Sequence, residues 1–308
     1  MTIDITKLIE EFEFNRILNS DTQTKQIAIL GTIDLENAIL IIEKSPFNIE
    51  LINSDPKSVP TKIISSLSLI NSNDVYNWAK ATLNQDLDQL PAAKVNLIYP
   101  ATETHIRKYN QQKLHYVRET PEMYYQYVIP YIDTMKGERL KWVYNILFHG
   151  KEKESFIYHD ESKDGFVLLP DMKWDKVNLE NLYLCCIVNR MDIGSIRDLS
   201  GSDVIYLGNL QNTIQKVTHK KFGLPQDQLK IFVHYQPSYY HFHLHIVNVH
   251  HPGLGDGIAI GKAILVDDII DNLKIDGEYY KKKTIGYVIG ENHGLWSIEG
   301  YRNSVRSQ

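Results

Sequence analysis

The sequence predicts an α+β protein, with a small mixed N-terminal domain followed by a larger domain built on an antiparallel sheet with helices. Its 308 residues are enough for one large or two medium domains, and 43% of them are hydrophobic, as is usual in folded proteins. In the second half of the chain, most of the short β-type runs follow one another without an intervening helix. That order favours an antiparallel sheet over a doubly wound parallel one.

The first hundred residues predict the smaller domain. Residues 5–18, ITKLIEEFEFNRIL, place apolar side chains at helical spacing and predict an amphipathic helix. Four β-type runs follow between turn residues: QIAIL, NAILII, TKIISSLSLI and KVNLIYP. Pro100 and the polar stretch after it mark a boundary. We therefore predict an N-terminal α+β domain over 1–108, a hinge over 109–125 and a C-terminal domain over 126–308.

The C-terminal domain contains most of the strand signals. Near its start, ERLKWVYNILF predicts a helix. The β-type runs are ESFIYH, DGFVLLP, NLYLCCIV, KIFVHY, HFHLHIVNV and KKTIGYVI. Two amphipathic helices are predicted among them, one over 202–221 with Gly223 as its stop and one over 261–273. Together these elements predict one sheet with helices packed on it.

Charge and cysteine content exclude several classes of protein. The formal net charge is −5 and all the excess acid lies in residues 1–100, which argues against a protein that coats long DNA or RNA. No apolar run approaches the ~18 residues that span a bilayer, and the N-terminus lacks signal-peptide features. Cys185 and Cys186 are neighbours in an apolar run and predict buried thiols rather than a disulfide. We expect an intracellular protein with no membrane partner.

Histidines are concentrated in one strand. Of the 12 in the chain, six lie between residues 234 and 251. From Tyr240 to Val249 the sequence alternates, which predicts His241, His243 and His245 on one face of a strand. Val247 and Val249 continue that face, and the opposite face, expected in the core, carries Phe242, Leu244 and Ile246. Successive histidines lie about 6.6–7 Å apart along such a face, a spacing that folding alone does not require.

Three kinds of role can explain this histidine face. The first is structural, because a strand histidine is ordinarily a core or surface residue with a satisfied hydrogen bond. The second is a metal site, since imidazole is a common zinc ligand, with His250 and His251 as further candidates. The third is nucleophilic catalysis at phosphorus, in which a neutral imidazole nitrogen attacks a phosphate and water hydrolyses the phosphoramidate.

The third role matches a known pattern. H-F-H-L-H-I-V resembles the histidine-triad motif of nucleotide hydrolases and transferases, His-x-His-x-His followed by two apolar residues. From Asn73 to this strand, further blocks resemble the scavenger mRNA decapping enzyme family in the same order: YPATETHIRKY, KWVYNIL, GFVLLPDMKW, IRDL and HYQPSYYHFHLH. Residues 1–70 carry no motif of this kind. The resemblance implies a histidine-triad-like sheet in the C-terminal domain.

The resemblance also implies a reaction. Short 7-methylguanosine-capped RNA remnants and the cap dinucleotide would be hydrolysed at their triphosphate bridge. His243 would attack the phosphate nearest 7-methylguanosine and form a covalent phosphohistidine, from which water releases 7-methylguanosine monophosphate. The other product would be a nucleoside diphosphate or a short RNA 5′-diphosphate. His241 and His245 would position and protonate, His234 would lie at the phosphates, and no metal or other cofactor is implied.

Substrate contacts are implied in the same way. Trp142 would stack on the cationic cap base, with Met172 opposite it where the family commonly has leucine. Glu152, with Glu154 as the alternative, would accept hydrogen bonds from the guanine edge. The other implied contacts are Asp171 and the Pro170 carbonyl in the base pocket, Lys108, Lys173, Ser238 and Tyr239 at the phosphates, and Asn73 and Tyr76 reaching in from the first domain.

The implied partners are a capped dinucleotide or a short capped RNA, not a long nucleic acid, and a second copy of the chain. The family forms homodimers that exchange N-terminal domains, and we expect a cytoplasmic protein, with the nucleus open as a further compartment. Two other functions stay open: a generic histidine-triad hydrolase of dinucleoside polyphosphates or phosphoramidates, and a non-catalytic cap-binding protein. The first does not require the base pocket of Trp142, Glu152 and Asp171, and the intact triad argues against the second.

Overall fold

A computed structural model describes residues 4–22, 24–48, 62–172, 174, 176–251 and 260–308. The chain divides into two compact units, Met1–Gln111 and Gln112–Gln308. The division falls inside the stretch predicted as a hinge, 109–125, and the hinge itself stays a prediction. Both units combine helices with antiparallel strands, which confirms the α+β class.

The first unit is built on a four-stranded antiparallel sheet. Its strands, in order across the sheet, are β1 (Glu13–Asp21), β2 (Gln26–Ile33), β3 (Glu36–Lys44) and β6 (Ala93–Ile98). The helices α1 (Ile5–Glu10) and α2 (Glu103–Tyr109) precede and follow these strands in the chain. Ile106 of α2 packs with Leu30 and Ile39 in a small apolar core.

The helix predicted over 5–18 is wrong beyond its first turns. Helix α1 ends at Glu10, and the chain then forms β1, which pairs with β2 along its length. Leu18 is buried in this strand, whereas Ile17, which fits the helical spacing, is exposed. The neighbouring strand supplies backbone hydrogen-bond partners that the local spacing of apolar residues does not report, and that pairing decides the segment.

A two-stranded hairpin also belongs to the first unit. It consists of β4 (Ile64–Asn73) and β5 (Tyr76–Leu83), joined by a turn with Asp74 in the left-handed conformation at φ 52°. Large apolar side chains are exposed on both strands: Leu67, Leu69, Ile70, Tyr76 and Trp78. A group of exposed apolar side chains of this size is typical of an interaction surface.

The second unit centres on a six-stranded antiparallel sheet, which confirms the predicted sheet type. Its strands, in order across the sheet, are β13 (Ala263–Leu265), β11 (Leu229–His234), β12 (His243–Asn248), β10 (Tyr183–Val188), β9 (Phe166–Pro170) and β8 (Tyr158–His159). The histidine strand β12 therefore lies between β11 and β10. A separate antiparallel pair joins β7 (Leu114–Glu119) to β14 (Ile285–Gly290).

The helices of the second unit fall between and after these strands. They are α3 (Pro121–Met123), which continues through a π-helical turn (Tyr124–Val128) into α4 (Ile129–Thr134), then α5 (Lys141–His149), α6 (Val204–Phe222), α7 (Val266–Ile275), α8 (Tyr279–Lys282), α9 (Gly294–Ser297) and α10 (Glu299–Arg306). Single 3₁₀ turns lie at Gly137–Leu140, Lys153–Ser155, Leu179–Asn181, Ile196–Asp198, Gly201–Asp203 and Gln226–Gln228. In the described part of the chain, no helix combines the length and apolar character needed to cross a membrane.

One helix prediction is confirmed and another needs correction. Helix α6 confirms the helix predicted over 202–221; it ends at Phe222 and is followed by Gly223, whose φ of 73° is left-handed. The helix predicted over 261–273 begins too early, because β13 precedes it and pairs with the end of β11. Helix α7 begins at Val266, with Asp267 in its first turn, where a carboxylate interacts favourably with the helix dipole.

Candidate active site

The histidine strand is held on both sides by neighbouring strands. Cα pairing sets His243 opposite Ile187 of β10, and His245 opposite Cys185 of β10 and Phe232 of β11. Phe242, Leu244 and Ile246 are buried in the core on the other face, as predicted. Of the other residues predicted on the histidine face, His241 lies before the strand and Val249 lies after it, where it is exposed. Val247 lies within the strand and is buried in the main core.

His243 is buried with its two ring nitrogens in different situations. Its Nδ1 lies 2.7 Å from the backbone carbonyl oxygen of His241. Because a carbonyl only accepts, Nδ1 carries the proton and donates it, which leaves the lone pair on Nε2. This Nε2 is buried, and no atom of the described residues forms a hydrogen bond with it. A neutral imidazole with one anchored nitrogen and one unengaged nitrogen is what nucleophilic attack requires.

Burial also sets the charge of His243. The cost of desolvating the imidazolium lowers the pKa of His243 to about 4, and nearby His234 and His241 act in the same direction. The hydrogen bond to the His241 carbonyl opposes this shift without cancelling it. His243 is therefore neutral near pH 7, with its lone pair available.

The other histidines surround this ring. Nε2 of His241 donates to the carbonyl oxygen of Val188 at 2.7 Å, and burial lowers the pKa of His241. The His245 ring lies 5.1 Å from that of His243 and 4.1 Å from that of His234, measured between ring centroids. Nδ1 of His245 is hydrogen-bonded to the Tyr183 hydroxyl at 3.2 Å. Four imidazoles are thus gathered at the junction of β11 and β12.

A cavity of about 580 Å³ opens beside the rings of His234 and His245. Nine of the fifteen predicted site residues line it: Trp142, Glu152, Pro170, Asp171, Met172, His234, Ser238, Tyr239 and His245. Its other walls are mainly apolar and come from Ile146, Leu169, Cys185, Ile187 and Lys262. A largely apolar cavity with a few convergent polar groups is the usual form of a small-molecule site.

Trp142 stands at the start of α5 with its indole at the cavity. Val143, Ile146 and Leu147 form the buried side of that helix, whereas Trp142 is 45% exposed. A tryptophan at helical spacing is ordinarily a core residue, so this exposure needs a separate explanation. Its ring meets Tyr239 edge-on, with centroids 4.8 Å apart. The indole therefore has a face available to a ligand.

Carboxylates lie at the cavity near this indole. Glu152 adopts a left-handed conformation, φ 61°, in the turn after α5, and of the two candidates Glu152 and Glu154 it is Glu152 that lines the cavity. Asp171 and Pro170 lie at the end of β9, and Met172 follows with its side chain fully exposed. These positions agree with a pocket that receives the edge of a base.

His241 and His243 are not among the described residues that line the cavity, although the neighbouring His234 and His245 are. The other four predicted site residues are substrate contacts. Lys173 lies outside the described residues. Lys108, on α2, and Asn73 and Tyr76, directly opposite each other at the end of the β4–β5 hairpin, belong to the first unit and are exposed. Their part in substrate binding stays a prediction.

Lys262 is a cavity residue that the sequence does not predict. This lysine lines the cavity, and its Nζ lies 3.3 Å from the backbone carbonyl oxygen of Gln236 in the turn after β11. Pairing of Ala263 with His234 brings it there. The position of Lys262 follows from this pairing alone, because residues 263–265 fit a helix by their local spacing and form a strand instead. The wall residue Cys185 was expected to be buried; it is half-buried, whereas Cys186 is fully buried, and neither forms a disulfide.

A metal site was the rival explanation for the histidines. Within the described residues, no three His, Cys, Asp or Glu side chains come together as ligands of a metal ion would. Independence of the reaction from metal nevertheless stays a prediction.

Family models match two stretches of the chain. The model described as "Scavenger mRNA decapping enzyme (DcpS) N-terminal" matches residues 7–112. The model described as "Scavenger mRNA decapping enzyme C-term binding" matches residues 141–261, which include Trp142, Glu152 and the histidine strand. The two stretches together cover more than half of the chain.

Curated relatives that share one name, m7GpppX diphosphatase, are similar along nearly the whole chain. The relative from Schizosaccharomyces pombe is 42% identical over 291 residues, covering 94% of this chain and 94% of the relative. The relative from Caenorhabditis elegans is 35% identical over 305 residues, covering 98% and 94%, and that from Homo sapiens is 31% identical over 295 residues, covering 93% and 84%. With the two family models matched in order and this identity along its length, the chain belongs to the scavenger mRNA decapping enzyme family.

Proposed function

We propose that this chain is a hydrolase of the 7-methylguanosine cap, acting on the cap dinucleotide and on short capped RNA remnants. Relatives named m7GpppX diphosphatase support this substrate class. The observation that carries the proposal is the buried, neutral His243, whose Nε2 forms no hydrogen bond with the described residues and whose ring lies against those of Tyr239 and His245, two residues that line a cavity of nucleotide size. Neutral imidazole is a good nucleophile toward phosphorus and needs no prior deprotonation.

In the proposed reaction, Nε2 of His243 attacks the phosphorus nearest 7-methylguanosine. A nitrogen–phosphorus bond forms as the bond from that phosphorus to the bridging oxygen breaks, and a nucleoside diphosphate or short RNA 5′-diphosphate leaves. Water then attacks the same phosphorus, the nitrogen–phosphorus bond breaks, and 7-methylguanosine monophosphate is released. The Nδ1 proton stays on His243 throughout, shared with the carbonyl of His241.

The surrounding histidines take different parts in this scheme. His241 acts on His243 through its carbonyl, which fixes the tautomer, and its own ring is anchored on Val188. His245 and His234 line the cavity, which supports a role for their rings in donating hydrogen bonds to phosphate oxygens and in protonating the leaving oxygen. In this scheme His241 positions His243, and His245 and His234 supply the hydrogen bonds and the proton.

The base pocket follows from charge and shape. 7-Methylguanine is a cationic purine, and an indole is the aromatic side chain that binds a cation over its face most strongly. The exposed face of Trp142 suits this role, and Met172 supplies an adaptable thioether opposite it. The Glu152 carboxylate can accept from the guanine N1–H and exocyclic amine, while Asp171 and the Pro170 carbonyl complete the pocket.

The phosphates need donors at the other end of the cavity. Ser238, Tyr239 and Lys262 line it there, on and beside the turn between β11 and β12. A lysine hydrogen bond to a phosphate is charge-assisted and stronger than a neutral one. Lys173 and Lys108 are proposed as further phosphate contacts on the resemblance alone.

We also propose a homodimer with exchanged N-terminal domains in the cytoplasm. The support from the structure is the β4–β5 hairpin, whose exposed apolar side chains include Leu67, Leu69 and Trp78. Monomeric proteins rarely expose so many large apolar side chains together, so a partner surface is expected to cover them.

The test is turnover of a methylated cap dinucleotide in excess chelator, with products separated by anion-exchange chromatography. We expect 7-methylguanosine monophosphate and a nucleoside diphosphate from the wild type, and no turnover from His243→Asn with cap binding retained. Diadenosine triphosphate and a nucleoside phosphoramidate serve as comparison substrates. Faster hydrolysis of either would indicate a generic histidine-triad hydrolase, binding without turnover would indicate a cap-binding protein, and activity only on addition of zinc would contradict metal-free chemistry.

A further inference from the structure

A buried polar group lies behind the turn that joins β11 to β12, outside the cavity. It consists of Glu119, Arg197, Tyr235 and Gln236, here called the Glu119 cluster, and each of the four is at least 95% buried. Glu119 is the last residue of β7, and Arg197 lies in the 3₁₀ turn Ile196–Asp198. The cluster is therefore assembled from segments that are distant in sequence.

Both oxygens of the Glu119 carboxylate are saturated by donors. Oε1 accepts from Nη2 of Arg197 at 2.8 Å, from its Nε at 3.1 Å and from the Tyr235 hydroxyl. Oε2 accepts from Nε2 of Gln236 at 2.7 Å and from the hydroxyl of Tyr287, on β14, at 2.8 Å. Burial raises the pKa of the Tyr235 hydroxyl well above its ordinary value, so it remains a donor. The buried charge is thus fully hydrogen-bonded.

Two of these donors belong to residues 235–240, here called the 235–240 turn, in the segment that joins β11 to β12. Tyr235 and Gln236 follow His234 directly and begin the turn that carries Ser238 and Tyr239. The side-chain oxygen of Gln236 accepts from the hydroxyl of Tyr240 at 2.9 Å, so the two ends of the turn are tied together. The backbone carbonyl of Gln236 accepts from Nζ of Lys262 at 3.3 Å.

What the turn positions is the ring of Tyr239. That ring lies parallel to His243, with centroids 4.0 Å apart. A displacement of the turn would therefore move the group that covers the nucleophile, and with it Lys262, whose ammonium is hydrogen-bonded to the turn. Buried ion pairs add little net stability compared with apolar packing, and one attested use of them is to select a single arrangement.

We propose that Glu119 is a positioning residue, which acts through Tyr235 and Gln236 to hold the 235–240 turn against His243. The expected effect on kcat rests on the proposed function, whereas the expected displacement of the turn does not. Glu119 is not among the described residues that line the cavity. Its hydrogen bonds hold the turn in one position. Loss of those bonds is expected to slow the chemical step, since a misplacement of catalytic groups by about 1 Å can reduce rates about 100-fold.

The test compares two matched variants, Tyr235→Phe and Tyr287→Phe. Each removes one buried hydroxyl that donates to Glu119, but only Tyr235 belongs to the turn. Three quantities are measured: the thermal unfolding midpoint, kcat and KM for the cap dinucleotide, and the NMR resonance of the His243 ring in histidine-labelled protein. The last is assigned by its loss in His243→Asn and is sensitive to the stacked Tyr239 ring.

We expect both variants to lose similar thermal stability. Tyr235→Phe should shift the His243 resonance and lower kcat by about tenfold or more, with a smaller change in KM because the walls formed by α5, β9 and β10 are untouched. Tyr287→Phe should leave the resonance and kcat within about twofold of wild type. Equal behaviour of the two variants, or a shifted resonance without a loss of kcat, would overturn the proposal.

A second variant and the His243 resonance allow this proposal to be tested separately from protein folding and from the proposed function. If Tyr235→Phe does not fold, Gln236→Met is measured in the same way, because it removes the other turn-side donor without introducing charge. If wild-type protein does not hydrolyse the cap, the proposed function fails, and the His243 resonance still decides whether Glu119 positions the turn.

Discussion

The phenol ring of Tyr239 lies parallel to the imidazole ring of His243, with centroids 4.0 Å apart and planes inclined by 12°. The same phenol meets the Trp142 indole edge-on at 4.8 Å. One side chain therefore contacts both the proposed nucleophile and the proposed stacking residue. It links the proposed phosphate end of the cavity to the proposed base end, and it covers one face of the His243 ring.

Tyr239→Leu should raise the pKa of His243 toward its ordinary value, because removing the ring admits water to a group whose pKa burial holds at about 4. In the wild type, the acid limb of kcat/KM is expected well below pH 6.5, since kcat/KM reports the free enzyme. In the variant, that limb should move upward by about 1 unit. Tyr239→Phe keeps the ring and is the control, with an unchanged acid limb; equal shifts in both variants would mean that the ring does not shield His243.

His243 should also make folding stability depend on pH. Its pKa is lowered on folding from 6.5 to about 4, so between these values the unfolded chain binds a proton that the folded chain does not. Stability is therefore lost as pH falls through this window, and the loss from this group amounts to about 3 kcal/mol. Urea unfolding of wild type and His243→Gln at a series of pH values measures it. The wild type should lose more stability than the variant between pH 7 and pH 4; parallel curves would contradict the depressed pKa.

Trp142→Ala should weaken binding of methylated cap dinucleotide by about tenfold more than binding of the unmethylated one, because the cation–π attraction acts only on the charged base. Dissociation constants measured by titration calorimetry with His243→Asn protein avoid turnover. Phe148→Ala is the matched control, since Phe148 is another exposed aromatic residue of α5 that does not line the cavity. Equal weakening for both ligands would show that the indole acts only as a wall of the pocket.

Lys262→Met should raise KM for the cap dinucleotide by about tenfold, because a charge-assisted hydrogen bond to a phosphate contributes about 1.5–3 kcal/mol. Lys230→Met, on β11 but outside the residues that line the cavity, controls for the loss of a positive charge. Steady-state kinetics at two salt concentrations distinguish the two variants. If both raise KM equally, Lys262 acts through the general field of the protein rather than through contact.

The sequence predicted those parts of the site that depend on short-range periodicity. The alternation around His243 places Leu244 and Ile246 in the core, and the apolar stripe of α6 is buried as expected. Both patterns report directly which face of an element is turned inward. The base-pocket residues were predicted from the resemblance to the family. The spacing of apolar residues does not indicate that such residues, for example Trp142, are exposed.

The errors arose where distant segments pair. Residues 13–18 fit a helix by spacing, but β2 offers them hydrogen-bond partners, and they form a strand. Residues 263–265 likewise pair with β11 instead of starting a helix, and this pairing places Lys262 at the cavity. The Glu119 cluster joins residues 119, 197, 235 and 236, and no local sequence pattern predicts hydrogen bonds between residues so far apart in the chain. Long-range pairing, not local propensity, decides these positions.

The central claim is that His243 becomes covalently bonded to the 7-methylguanylyl group during turnover. Rapid-quench mixing of enzyme with excess cap dinucleotide, followed by proteolysis under mildly alkaline conditions that preserve phosphoramidates and by mass spectrometry, tests it most directly. We expect a peptide containing His243 to carry one 7-methylguanylyl group at early times, and none in His243→Asn. Product formation with no adduct on any histidine, or with the adduct on His241, His245 or His234, would contradict the account.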